Sequence, residues 1–280
     1  MAYDKTIQMF IFEGNPNGRI MCELSNWNGI VYKISRNEIN KFSERKESGY
    51  TGIYFLFGKN DDNSETVYIG EAERLLDRLK QHIQDNEYWN NCVVVTSKDN
   101  ALNKAHVKYL ENAFFSFAKE SNRFDITNRN TPTRSSISEY DEATLKEFID
   151  NAKLLVNALG YKAFDLLSDE NLSETKIKFY IKAARGADAI GSAVADGFVV
   201  FKGSKIASSV TNSISGSIVK FREKLMEKKV INSDFEFVND YIFTSPSLAA
   251  AVVMGRNANG RTEWKTEDKK TFAQIEGEGL

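Results

Sequence analysis

Cysteine and histidine are scarce in this chain of 280 residues, which holds two of each: Cys22, Cys92, His82 and His106. Two cysteines exclude a cysteine-rich zinc site and argue against a disulfide framework. The two histidines are too far apart for the zinc-hydrolase helix, which sets two of them one turn apart. A catalytic metal would therefore rest on oxygen ligands, which favours Mg²⁺ or Mn²⁺. No apolar run is long enough to span a bilayer, and the N-terminal MAYDKTIQ lacks the basic and apolar regions of a signal peptide. No membrane contact and a cytoplasmic location are expected. An excess of one charge is missing too. The 37 Lys and Arg against 39 Asp and Glu leave a net charge of −2. That argues against a protein that coats nucleic acid non-specifically, since phosphate binding needs positive surface. Local patches remain, at Arg74, Arg78 and Lys80 and again at Lys220, Arg222, Lys224, Lys228 and Lys229.

With 41% apolar and 27% charged residues, the composition is that of a globular protein, long enough for two modest domains. TIQMFIF, RIMCEL and GIVYKI read as strands, followed by a short helix RNEINKFSER that Ser35 can cap. This β-rich piece occupies residues 1–49. TGIYFLFG and TVYIG then read as a hairpin around the polar loop GKNDDNSE. Residues 72–86 have helical period, with Ala72, Leu75, Leu76, Leu79 and Ile83 on one face. CVVVTS is a buried strand, and Asp99 or Asn100 can cap the helix through LNKAHVKYLENAFFSFAKE. TNRNTPTRSSISEYDE is a loop, and a helix runs from about Asp141 to Leu159, ending at Gly160. The fold class expected is α/β: a small three-stranded sheet flanked by helices over 50–160, a linker at 161–175, and a separate small α+β domain at 176–280. In that last part KIKFYIKA, GFVVFKG and TEWKT read as strands, and SGSIVKFREKLMEKK as a helix with a basic face. SPSLAAAVVMG reads as a helix opened by Ser245 and Pro246 and ended by Gly255, with Asn259-Gly260 as a turn.

Chemistry concentrates between residues 50 and 135. Gly52-Ile53-Tyr54 and Tyr68-Ile69-Gly70 flank the acidic loop. Arg74, Arg78 and His82 follow four apart and form one cationic stripe, either a solvated helix face or a phosphate clamp. Glu111 lies among Val107, Phe114, Phe115 and Ala118. Spacing leaves two readings open: a boundary glutamate paired with Lys108, or a carboxylate held for a metal. His106 reads equally as a satisfied helix residue or a phosphate contact.

These elements, in this order, resemble the GIY-YIG nuclease family. The resemblance implies the three-stranded sheet, one divalent ion per site (Mg²⁺ or Mn²⁺) on Glu111 as sole protein ligand, and Arg78 as the phosphate clamp. It implies Tyr54 as the base, with His82 an alternative of better intrinsic pKa. Tyr68 joins the catalytic set. Asn128 orients the site, with Asn130 not separable from it. Gly52, Gly70, Arg74 and Lys108 are candidate substrate contacts, the glycines through close backbone approach. One departure stands out: where some branches carry a lysine after the second tripeptide, this chain has Glu71. The run SPSLAAAVVMGRNANGRTEW is similar to a small module that often follows this nuclease type and to one attached to restriction and methylation enzymes, proposed to sense DNA. Its alanines suggest a closely packed helix, and Trp264 a core anchor.

The expected function is metal-dependent endonuclease action on nucleic acid, DNA in first place. The alternatives are a catalytically silent nucleic-acid-binding protein that keeps the fold and a phage-defence effector gated by a partner. A homo-oligomer or a regulatory protein partner stays open.

Overall fold

The computed structural model describes residues 4–60, 64–85, 89–165, 177–194 and 197–277. The chain divides into two compact units, Met1–Leu166 and Leu167–Leu280. It is mixed α/β, and no helix among the described residues is long and apolar enough to cross a membrane.

The first unit is built on one sheet of seven strands rather than three. The strands are β1 (Ile7–Ile11), β2 (Ile20–Leu24), β3 (Gly29–Ser35), β4 (Gly52–Lys59), β5 (Glu65–Ala72), β6 (Trp89–Ser97) and β7 (Asp125–Ile126), in the spatial order β1-β2-β3-β6-β4-β5-β7. The sheet is larger than expected because β3 pairs with β6 along its whole length, Gly29↔Ser97 to Ser35↔Asn91. Both edges of β3 are thereby paired, with β2 on one side and β6 on the other, which supplies its buried backbone groups with ladder partners. Every pairing is antiparallel except β5 with β7.

The helices α1 (Leu75–Asp85), α2 (Lys104–Ser121) and α3 (Glu139–Ala158) cover the sheet. Alternation along β4 sorts its side chains between two cores. Ile53 and Phe55 pack with Val107, Leu110 and Phe114 of α2 and with Leu155 of α3. Tyr54 and Leu56 pack on the other face with Leu75 and Leu79 of α1 and with Ile39 and Phe42 of a 3-10 helix, Arg36–Glu44. Ser35 precedes that helix but makes no capping bond, its hydroxyl reaching Glu38 instead. The cap of α2 is Asn103, not Asp99 or Asn100; Asn100 has φ +56° and closes a preceding turn. Ala163 and Phe164, inside the expected linker, are fully buried, and the Phe164 ring packs against Phe55 at 4.6 Å and edge-on to Phe114 at 4.8 Å. From residue 166 the expected linker lies outside the described residues.

The second unit carries a four-stranded antiparallel sheet in the order β11-β10-β9-β8, made of β8 (Phe179–Lys182), β9 (Asp188–Val194), β10 (Gly197–Val200) and β11 (Tyr241–Phe243). Its helices are α4 (Gly216–Glu227), α5 (Pro246–Met254), α6 (Gly260–Glu263) and α7 (Phe272–Gly277). Ser245 caps α5 as its sequence requires, accepting from Leu248 N at 3.2 Å, and Ala249, Ala250 and Ala251 are buried. Asn259 is an N-cap rather than a hairpin turn, so the expected strand TEWKT is partly the helical turn α6. Trp264 is fully buried, 4.6 Å from Phe198, with Nε1 donating to Pro246 O at 3.0 Å.

The basic face expected on α4 loses a member. Arg222 is buried and donates to the carbonyls of Val252 and Ala207, so it satisfies the last turn of α5. Burial, with Arg185 adding, brings its pKa down to about 10. Arg222→Leu is expected to lower the stability of this unit by about 3 kcal/mol in urea unfolding, because buried carbonyls are left unpaired. Any salt-dependent binding of nucleic acid should keep its slope.

Candidate active site

A cleft of about 490 Å³ lies along the open edge of β5. The edge is open because β7 pairs only with Thr66 and Val67. Strand alternation turns Tyr68 toward α1 and Glu71 toward α2, so the cleft is lined from both faces. Tyr54, Tyr68, Arg74 and Arg78 line it from one side, Glu71, Lys104 and Glu111 from the other.

Asn128 holds this edge in place. Its Oδ1 accepts from Ile69 N at 3.0 Å and its Nδ2 donates to Ile69 O at 2.7 Å. One side chain thus supplies the next rung of the β5–β7 pairing and fixes the strand that carries Tyr68 and Gly70. Asn130 is exposed and takes no part in it.

The tyrosines are set by register. Tyr54 lies opposite Gly70, and Leu56 opposite Tyr68. A Cβ on Gly70 would sit 2.4 Å from both Cζ and the hydroxyl oxygen of Tyr54. Only glycine lets that ring lie across the strand. Gly52 has a different use. A Cβ there would come within 2.6 Å of Val95 O, so it admits the close approach of β6 and stays out of the cleft. Gly70→Ala is expected to cost about 1–3 kcal/mol in urea unfolding, since the buried Tyr54 ring has nowhere to go. Gly49→Ala, where a Cβ meets nothing within 4 Å, should be silent.

Tyr54 is fully buried, and its hydroxyl lies 2.8 Å from His82 Nε2. Arg78 Nε donates to the same oxygen at 3.3 Å. Because a guanidinium can only donate, the tyrosine proton points to His82. Burial drives the Tyr54 phenol far above its ordinary value, with Tyr68 adding and Arg78 opposing. Burial, reinforced by the Arg78 charge, takes His82 down to about 4. The pair is neutral across the ordinary pH range.

This revises the cationic stripe. Positions 75, 79 and 82 share a helix face, so His82 goes inside with Leu75 and Leu79. Arg74 precedes α1, is exposed at the cleft mouth and pairs with Asp77 at 2.8 Å. Arg78 alone joins the interior to the cleft, with Nη1 also donating to Gln81 at 2.9 Å.

Glu111 reaches the cleft from α2. Burial raises its carboxyl to about 7, and Glu71 adds to the rise, against the pull of Lys104, Lys108 and Arg78. Lys108 is exposed and does not line the cleft. The cation of α2 that does is Lys104, 2.9 Å from Glu71 and 3.7 Å from Glu73. The sequence reading missed it, although a signal was there. Lys104 is two turns before Glu111, on the same face, and opens a helix, where a cation is disfavoured by the dipole. His106 belongs to the cap of α2. Its backbone N–H donates to Asn103 Oδ1 at 3.0 Å, and its Nδ1 accepts from Asn103 N at 3.4 Å.

Among the described residues no three His, Cys, Asp or Glu side chains gather as a metal cluster. A cation here would lean on Glu111, with water and substrate completing its shell.

Residues 179–276 match the model of a family described as a domain of unknown function (DUF4357). No curated protein and no solved structure matches the chain.

Proposed function

We propose that the first unit hydrolyses phosphodiester bonds of nucleic acid, with DNA as the first substrate to try, using one Mg²⁺ or Mn²⁺ on Glu111. The observation that carries this reading is the convergence of a phenol, a guanidinium and a carboxylate of raised pKa on one cleft, from β4, α1 and α2.

The cation fits the chemistry of the donors. The side chains facing the cleft offer oxygen rather than sulfur or imidazole, because His82 is engaged by Tyr54. The raised Glu111 pKa marks a carboxylate short of positive charge. The bound ion would neutralise charge on the phosphoryl group and ease departure of the leaving oxygen. The protein groups do the rest. Arg78 keeps donors beyond those used on Tyr54 and Gln81, and these can grip two phosphate oxygens. The water that attacks phosphorus gives its proton to the Tyr54 oxygen as the phenol proton passes to His82 Nε2. Both groups rest neutral, so His82 Nε2 can accept, and the proton it gains is then released to solvent, which restores the neutral pair. Solvent protonates the leaving oxygen.

Arg78→Lys tests the clamp. It keeps the charge and loses the fork, so turnover on plasmid or single-stranded circular DNA with Mn²⁺ is expected to fall by about 10²-fold or more, with little change in DNA binding. Normal turnover would remove Arg78 from the mechanism. Failure of the parent protein to cut any DNA or RNA would favour a binding protein without catalysis.

A further inference from the structure

The two edges of the seven-stranded sheet are built differently. β7 is only two residues long. β1 is five residues, Ile-Gln-Met-Phe-Ile, with no charge, proline or glycine among them. Three of its side chains are large, apolar and exposed: Met9 at 47%, Phe10 at 56% and Ile11 at 39%. Met9 and Ile11 lie on one face of the sheet and Phe10 on the other, so no single helix could cover them. Edge strands are normally blunted by charge, proline or brevity. β1 has none of these.

The direction of its hydrogen bonds follows from its pairing. β1 and β2 pair from Ile7↔Leu24 to Ile11↔Ile20, and Phe12 N donates to Arg19 O in the same register. In an antiparallel ladder, residues facing the partner alternate with residues facing away. Positions 8, 10 and 12 therefore bond β2. Ile7, Met9 and Ile11 turn their N–H and C=O groups to the open edge, where no strand pairs among the described residues.

We propose that a second copy of this chain occupies that edge, β1 against β1, antiparallel about a two-fold axis at Met9. This register sets Met9 against Met9 and Ile7 against Ile11, the positions with outward groups. It yields about six N–H···O bonds across the axis. It also places Met9 and Ile11 beside Met9 and Ile7 of the other copy on one face, and Phe10 beside Gln8 on the other. The uncharged strand brings no like charges together. Beyond its ends, Lys5 of one copy, which donates to Asn151 Oδ1 at 2.5 Å in its own protomer, falls on the side of Glu13 of the other, which pairs with Arg19 at 2.6 Å. Apolar contact and the full use of the outward backbone groups at 7, 9 and 11 both select this register, and an isologous pairing closes without further growth.

Sedimentation equilibrium of the full chain should show a dimer at protein concentrations up to about 100 µM. Met9→Pro should weaken association by about 100-fold or more while far-UV circular dichroism stays unchanged, because the lost N–H bonds nothing inside the protomer. Met9→Lys should do the same with the N–H retained. Oxidised Met9→Cys should cross-link to itself, whereas Ile11→Cys should not, its counterpart lying about 14 Å along the partner strand. Cys22 and Cys92 are buried and leave the readout clean. The proposal is overturned by a monomer throughout that range. It is equally overturned by a dimer that survives both Met9 substitutions, or by Ile11→Cys cross-linking as readily as Met9→Cys.

Discussion

Glu111→Gln is expected to remove most metal-dependent cleavage and, at the same time, to make the protein more stable above pH 7. The two effects share one cause. The Glu111 carboxyl is raised from its ordinary 4.5 to about 7, so the folded state resists its ionisation. Below pH 4.5 the group is protonated folded or unfolded, and it costs nothing. As pH rises toward 7 the unfolded chain releases the proton first, and stability falls until the folded carboxyl also ionises. The loss is about 2 kcal/mol once partial exposure is allowed for. Glutamine has no such loss, so the gap between parent and variant should open between pH 4.5 and 7 in urea unfolding with a chelator present. Mn²⁺ should close the gap by stabilising the parent alone. Cleavage by the variant should drop by about 10³-fold, the scale of a metal site's charge stabilisation. A variant that cuts at the parental rate, or a gap independent of pH, would make Glu111 an ordinary boundary residue.

Tyr54→Phe carries the second large effect. It removes the oxygen that takes the water's proton and leaves His82 Nε2 and Arg78 Nε without their shared partner. Turnover should fall by about 10²–10⁴-fold, the range for a lost general base. His82→Ala should fall by a similar factor, because the phenol proton then has no acceptor. The pH–rate profile separates this scheme from direct catalysis by histidine. With His82 lowered to about 4, no inflection belongs near the ordinary imidazole value. The rise should instead follow Glu111 near 7, and its midpoint should move down as Mn²⁺ is increased, since the cation competes with the proton. A midpoint indifferent to Mn²⁺ would assign the titration elsewhere. Parental turnover by Tyr54→Phe would remove the phenol from the chemistry.

Local chemistry made much of this architecture readable in advance. The hairpin of β4 and β5 follows from alternation and a polar loop, and α5 from a serine, a proline and a closing glycine. What escaped depended on distant partners or on weak local signals. The extent of the sheet rests on β3 meeting β6 across about sixty residues of chain. β9 was missed because its Asp-Ala-Ile-Gly-Ser-Ala-Val has little strand propensity, and its neighbours hold it extended. At the cleft, the motif residues Tyr54, Tyr68, Arg78 and Glu111 were legible as types in order. His82 was misplaced because a four-residue count from Arg78 was followed when the count from Leu75 and Leu79 decided its face. Lys104 was missed because its partner, Glu71, comes from β5, far from α2 in the chain.

The ion pair between Lys104 and Glu71 also bears on the order in which ligands can arrive. Four carboxylates, Glu71, Glu73, Asp77 and Glu111, line the cleft against three cations, Arg74, Arg78 and Lys104. Lys104 and Arg74 are already committed to acids. Once Glu111 is ionised, above about pH 7, an incoming phosphodiester meets a cleft whose charge opposes it until a divalent ion has entered. Metal should bind first or together with substrate, and the apparent affinity for substrate should tighten as free metal rises.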